Sequence, residues 1–229
     1  LITPKRSHSW TTGLSRTMNL NSNHKSNKDS RIELLLKRVS RPFTGLLTGL
    51  LMRTPITPNM ITIFGLFITL IASFFVLQEK LQLAGIVFIT GSALDALDGD
   101  LARKTNRQSK FGAFLDSNVD RAQEGAIFMS LALYYASDDN VTGIALSFLA
   151  MISSYMVSYA RARAEGLGFK GESGFMTRPI RVVILGASLI VAWVVPALLV
   201  ISVSAFITAI QRGLSVWRQE NIPENTDSN

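Results

Sequence analysis

The sequence has no cysteine and only two histidines, His8 and His24, both inside its polar first 30 residues. The first absence excludes a disulfide framework and a thiolate metal site. The second argues against a histidine-based metal site or triad in the rest of the chain. Any metal bound there must take oxygen ligands, which favours magnesium, manganese or calcium. Charge is also scarce. Of 229 residues, 48% are hydrophobic and only 17% charged, where a soluble domain carries about a quarter charged. The mean hydropathy is +0.28, and the deficit of charge points to a membrane protein. What charge there is sums to +7. A basic excess fits either nucleic acid or a cytoplasmic membrane face, and its distribution decides between them. The chain opens on Leu1, which predicts a fragment or a processed product. No short apolar run with a cleavage site opens it.

Residues 1–30 are rich in Ser, Asn, Thr and Lys without apolar periodicity, and they read as a disordered segment. Residues 31–53 change character. Ile32, Leu35, Leu36, Val39, Phe43, Leu46, Leu47, Leu50 and Leu51 recur near helical spacing with Lys37, Arg38 and Arg41 between them. That is a basic amphipathic helix of the kind that lies on a membrane surface, kinked at Pro42. Long apolar stretches follow at 59–77, 81–102, 111–136, 141–163, 179–194 and 197–217. A helix needs about 20 residues to cross the hydrocarbon core, so the pattern predicts six crossings within a domain over 54–218 and a polar tail over 219–229. The single Gly-x3-Gly pair, Gly45 and Gly49, lies in the amphipathic segment, and the crossings contain no such packing motif.

Charge supplies the orientation. The region up to Thr57 carries ten Lys and Arg against Asp29 and Glu33. The next connection has Glu79 and Lys80, and the one after it Arg103, Lys104, Arg107 and Lys110. Asp138 and Asp139 come next without a base, then Arg161, Arg163, Lys170, Arg178 and Arg181. The turn at Val195-Pro196 is uncharged, and Arg212 and Arg218 stand near the end. Basic and weakly charged connections alternate through six crossings, which predicts both termini in the cytoplasm. The expected fold is an all-α integral membrane bundle. The same alternation explains the net charge without nucleic acid, since no segment interleaves bases with aromatics.

Four aspartates stand out. On a helix, Asp95, Asp98, Gly99 and Ala102 fall at i, i+3, i+4 and i+7 and share one face, while Asp100 points elsewhere. Asp116 and Asp120, at i and i+4, share a face of the next helix. The connection from Lys104 to Lys110 is short, so these helices are antiparallel neighbours. Both acid pairs then sit at the cytoplasmic boundary. Two charges about 4 Å apart repel by about 4 kcal/mol at an effective dielectric of about 20. Protonation or divalent cations must relieve that, and bound metal implies anionic substrate oxygens completing the coordination. Gly99 and Ala102 leave room beside the acids for a flat ligand such as a nucleotide, and Arg103 offers a guanidinium suited to phosphate. An ion or proton pathway is the competing reading, as in a cation-binding transporter. That reading calls for carboxylates near the midplane.

The pattern Asp95-x2-Asp98-Gly99-x2-Ala102-Arg103-x8-Gly112-x3-Asp116-x3-Asp120 fixes eight positions over 26 residues. It resembles, at every position, the motif of the CDP-alcohol phosphotransferase family. The resemblance extends to Thr57-Pro58-Asn59-x2-Thr62 and covers roughly residues 40 to 215. It implies that Asp95, Asp98 and Asp116 ligate metal, with Asp120 as general base and a further ligand. It implies two magnesium or manganese ions. It also implies that Asp95, Asp98, Gly99, Ala102, Arg103, Gly112 and Asp116 bind CDP. The acceptor hydroxyl would then attack the β-phosphorus of a CDP-alcohol and release CMP. Family members are commonly homodimers, which is the expectation here.

Ser158 and Arg161 are three apart at the end of the fourth crossing, as are Arg178 and Arg181 at the start of the fifth. Arginines beside a metal site suit an acceptor that itself carries phosphate. The alternative is that they set topology and contact lipid headgroups. The two segments resemble those of phosphatidylinositol phosphate synthases and their archaeal ether-lipid counterparts, although Arg161 stands where Lys is frequent and Ile180 where an acid is usual. The resemblance implies an inositol phosphate acceptor held by Ser158, Arg161, Arg178 and Arg181. The donor would be CDP-diacylglycerol or CDP-archaeol. Synthases joining CDP-inositol to inositol phosphate have similar segments, in some cases behind a cytidylyltransferase domain. Glycerol phosphate is a third candidate acceptor.

Overall fold

The computed structural model describes residues 48–49, 54–171 and 174–221, apart from the side chains of Asp95 and Ala96. The segment 1–30, nearly all of the amphipathic segment 31–53 and the tail from 222 onward lie outside the described residues. Six α-helices follow one another: α1 (Pro58–Leu77), α2 (Leu81–Lys104), α3 (Lys110–Ser137), α4 (Val141–Gly166), α5 (Arg178–Ile190) and α6 (Val194–Asn221).

Local chemistry sets their ends. Thr57 caps α1 by accepting from the Met60 amide, with Pro58 in the first helical position. Ser109 and Asn140 cap α3 and α4 by accepting from the Gly112 and Gly143 amides, each at 2.9 Å. Four turns reverse the chain through a residue of positive φ: Glu79 (60°), Asn106 (52°), Asp139 (52°) and Ala192 (58°). The last of these corrects the sequence reading, which carries one apolar crossing from 179 to 194. The chain turns at Ala192, the Trp193 amide bonds back to the Ser188 carbonyl at 2.9 Å, and α5 stops at Ile190. Pro196 therefore lies inside the first turn of α6, where its missing N–H costs nothing.

The short turns alternate the helix directions. The N-termini of α1, α3 and α5 share one end of the bundle with the C-termini of α2, α4 and α6. The apolar core fills the opposite half. Val76, Phe88, Ile127, Phe128, Leu131, Ala150, Leu189, Leu198 and Ile201 form one buried cluster to which all six helices contribute. Two glycines bring α2 and α5 together. A Cβ on Gly85 would stand 2.8 Å from the Gly186 carbonyl oxygen, and one on Gly186 would stand 2.4 Å from Ile89. One glycine on each of two helices thus performs the close approach that a paired motif would give on one.

Large apolar side chains cover the outside, among them Phe64, Phe67 and Phe74 on α1 and Val203 and Phe206 on α6. That is the surface expected against lipid rather than water. Four helices, α1, α2, α4 and α6, are long and apolar enough to cross a membrane. The other two fall short of that test for different reasons. The 13 residues of α5 span only about 20 Å at 1.5 Å per residue. α3 has the length, but its stretch from Asp116 to Glu124 carries Asp116, Asp120, Arg121 and Glu124.

Candidate active site

At the polar end, α1 and the α2–α3 hairpin enclose a cavity of ≈ 350 Å³. That is at the small end of the range for ligand sites. Asp98, Gly99, Ala102 and Arg103 line it from α2, and Gly112 and Asp116 from α3. Pro58, Asn59 and Thr62 complete it from α1, with Arg107, Gln108 and Ser109 from the turn. The cavity therefore gathers six of the seven residues expected to bind the nucleotide. The seventh, Asp95, lies on α2, with its side chain outside the described residues.

The two glycines act differently. A Cβ on Gly112 would meet Ser109 Oγ at 3.0 Å and Asn59 Oδ1 at 3.2 Å, so a side chain there would crowd the Ser109 cap and the Asn59 amide of α1. A Cβ on Gly99 would have nothing nearer than Arg103 Nη1 at 3.6 Å. There the missing side chain is open volume. Arg103 itself is tethered by an ion pair with Asp100, three residues before it, and stays largely exposed at the cavity. Asp98 is 6% exposed and accepts a hydrogen bond at Oδ2 from the hydroxyl of Thr62, itself 3% exposed. The sequence reading noted Thr62 and Asn59 in the Thr57–Thr62 pattern but gave them no role. The missing signal is the pairing of α1 with α2, which spacing within one helix cannot reveal.

Among the described residues, no three acids come close enough together to cage a metal ion. The donor chemistry nevertheless fits a hard divalent cation. Asp98 and Asp116 line the cavity with the oxygens of Asn59 and Thr62, and neither sulfur nor imidazole is near. Magnesium-type ions bind through one or two carboxylates plus substrate phosphates, and two lining carboxylates meet that need.

Asp120 lies one turn further along α3 and faces another group of residues. Its Oδ1 pairs with Arg178 Nη1 at 2.9 Å, and its Oδ2 is 3.5 Å from Arg121 Nη1. Arg178 Nη2 donates to Gln123 Oε1. Arg181 is 2% exposed. Its Nε and Nη2 donate to Glu124 Oε1 at 2.9 and 2.7 Å, and its Nη1 donates to the Met176 carbonyl at 3.1 Å. All three of its nitrogens therefore already have protein acceptors. Tyr155 of α4 donates to the Arg121 carbonyl at 2.7 Å, an approach that Gly125 permits, since a Cβ there would stand 2.4 Å from the phenol oxygen. The turn of α3 from Asp120 to Gly125 is thus held from both α4 and α5.

Ser158 is half-buried on α4, and Arg161 is exposed, pairing with Glu165 at 2.8 Å. Arg212 of α6 is 4% exposed and donates to the Val157 carbonyl, with Arg161 and Arg181 near enough to act on its charge. The sequence reading counted Arg212 only as a topology-setting base. A lone arginine closing an apolar run of that length is the signal that marks it, because buried charge at membrane depth is costly.

A sequence profile of the CDP-alcohol phosphatidyltransferase family matches residues 55–217. The chain is 43% identical over 159 residues to an archaetidylinositol phosphate synthase of Pyrococcus horikoshii, covering 69% of this chain and 81% of that protein. Two crystal structures of the phosphatidylinositol phosphate synthase of Mycobacterium tuberculosis share the fold. The one with CDP-DAG bound has a TM-score of 0.69 at 27% identity, over 84% of this chain and 98% of the other. The one in complex with manganese and citrate has a TM-score of 0.71 at 28% identity, over 81% and 93%.

Proposed function

The chain belongs to the CDP-alcohol phosphatidyltransferase family, and from that premise we propose that it joins a CDP-activated lipid to inositol phosphate, releasing CMP. It is an integral membrane transferase of phospholipid biosynthesis. The observation that carries the proposal is the division of labour along α3. Asp116 faces the cavity and Asp120, one turn on, faces the arginines. A donor seated in the cavity and an acceptor seated among the arginines would meet at that turn.

In this reading Gly99, Ala102 and Gly112 give the nucleotide its space, and Arg103 reaches its phosphates. Asp95, Asp98 and Asp116, with Asp120 at the edge, would hold the two magnesium or manganese ions of this reading. When bound, such ions would supply polarisation of the donor's phosphates and neutralise charge on the departing CMP. Asp120 takes the proton of the acceptor hydroxyl. That oxygen bonds to the β-phosphorus as the bond from this phosphorus to the CMP oxygen breaks. Ser158, Arg161 and Arg178 receive the phosphate of the acceptor. Arg181 and Arg212 add positive field from buried positions, which guanidinium groups tolerate when their N–H groups are satisfied. The donor is CDP-diacylglycerol or its archaeal counterpart, in keeping with the two named relatives.

All six helices cross the bilayer in this proposal, with both termini and the site on the cytoplasmic side, and the active form is a homodimer. The charged groups of α3 and α5 support crossing because they face the bundle interior. Glu124 is 4% and Arg181 2% exposed. Trp193, exposed in the α5–α6 turn, suits the far interface. The test is CMP release by the purified full chain from labelled CDP-diacylglycerol and its archaeal analogue, with manganese or magnesium. Release is expected with inositol phosphate and not with free inositol or glycerol phosphate. Release with another acceptor alone would overturn the assignment.

A further inference from the structure

Asp98 and Asp116 stand on different helices, and to serve one cation both carboxylates must be held in fixed planes. Magnesium-type ions accept little departure from octahedral geometry at about 2.0–2.1 Å. A buried aspartate can rotate about two side-chain bonds, so something has to hold it. Thr62, on a third helix, makes that contact with Asp98 Oδ2. The hydroxyl has one proton and two acceptors within reach, because the Pro58 carbonyl oxygen, one turn back on α1, lies 3.2 Å away. The hydroxyl thus has an acceptor on its own helix as well as the carboxylate across the helix interface. One turn earlier on the same face of α1, Asn59 lies against the start of α3 beside Gly112. α1 therefore braces both helices that carry the acids.

We propose that Thr62 is a positioning residue of the metal site, whose hydroxyl fixes the plane in which Asp98 meets the cation and the donor phosphates. The proposal rests on the metal-dependent transferase reading above. Outer partners that orient metal ligands typically contribute about 10–100-fold to metal affinity. Valine has the shape of threonine without the hydroxyl, and serine keeps the hydroxyl without the methyl group.

The test is a manganese titration of the full chain without substrates, read by the electron paramagnetic resonance of the free ion, for wild type, Thr62→Val and Thr62→Ser. The dissociation constant is expected to rise about 10–100-fold in Thr62→Val and to stay within about threefold of wild type in Thr62→Ser. The manganese concentration for half-maximal CMP release should shift in the same ratio, with the KM for the acceptor unchanged. An unfolding midpoint measured in EDTA separates lost binding from lost folding. Wild-type manganese affinity in Thr62→Val would overturn the proposal, as would an equal loss in Thr62→Ser. A wild-type chain that binds manganese but releases no CMP would overturn the transferase reading. The role of Thr62 would still stand or fall on the shift in binding.

Discussion

The two regions that α3 joins are built on opposite plans. Towards α1 and α2, Asp98 and Asp116 line an open cavity beside two glycines, and a neutral hydroxyl, that of Thr62, donates to Asp98. Towards α4, α5 and α6 the charges hold one another in Asp120–Arg178, Glu124–Arg181 and Arg161–Glu165. The first plan leaves negative charge and volume to be completed by cation and ligand. The second pairs its own charges, from Arg161 at the surface to Arg181, which is costly to bury and kept by Glu124. Neutralising an acid at the cavity should therefore cost chemistry, and breaking the deeply buried Glu124–Arg181 pair should cost folding, while Asp120 and Arg178, where the two regions meet, should cost chemistry alone.

The largest effect should follow from neutralising the acids. Asp120→Asn removes the proposed base, and kcat should fall by about 10²–10⁴-fold. Asp98→Asn should exceed the 10–100-fold expected for loss of an outer partner of the metal. CMP release measures both, and both proteins should keep the wild-type unfolding midpoint. Next comes Arg181→Met, which leaves Glu124 buried without its partner. Breaking such a pair costs about 3–5 kcal/mol, seen as a lowered thermal midpoint. Pairing it with Glu124→Leu should recover most of the loss. A double variant no more stable than Arg181→Met would mean that the ion pair does not hold α5 to α3. Arg178→Ala sharpens the contrast. Its side chain is only part-buried, so the fold should survive. The KM for inositol phosphate should rise by about 10–100-fold, the worth of one charge-assisted hydrogen bond at about 1.5–3 kcal/mol, with the KM for the CDP-lipid unmoved. Equal shifts in both constants would erase the distinction between the two sides.

The sequence exposes these two plans unequally. The acidic side is legible because its residues recur at three- and four-residue steps on two helices joined by a short turn. Helical geometry alone then brings Asp98, Gly99, Ala102, Gly112 and Asp116 to one cavity. The arginine side depends on pairs distant in the chain. Arg181 meets Glu124 across 57 positions and Arg178 meets Gln123 across 55, and no periodicity encodes such a meeting. The same limit hid Thr62, whose partner lies 36 positions away. The end of α5 was illegible for another reason. Val191, Ala192 and Trp193 are apolar, so hydropathy runs through a turn that the backbone makes at Ala192.

The smallest effect is also the one that best separates volume from charge. Gly99→Ala adds a single methyl group to the cavity wall, with Arg103 Nη1 at 3.6 Å as its nearest neighbour, an ordinary contact at the end of a flexible side chain. Nothing in the fold opposes it. Alanine is favoured over glycine inside a helix by about 0.8–1.0 kcal/mol, so the variant should unfold at a slightly higher temperature than wild type. The methyl group nevertheless takes space where the nucleotide is proposed to lie close to the backbone. The KM for the CDP-lipid should therefore rise several-fold, about 1 kcal/mol of overpacking, while the KM for inositol phosphate stays constant. Stability and donor affinity thus move in opposite directions. If Gly99→Ala gained stability and kept its donor affinity, the glycine would be ordinary helix surface, and the nucleotide would have to lie along another wall of the cavity.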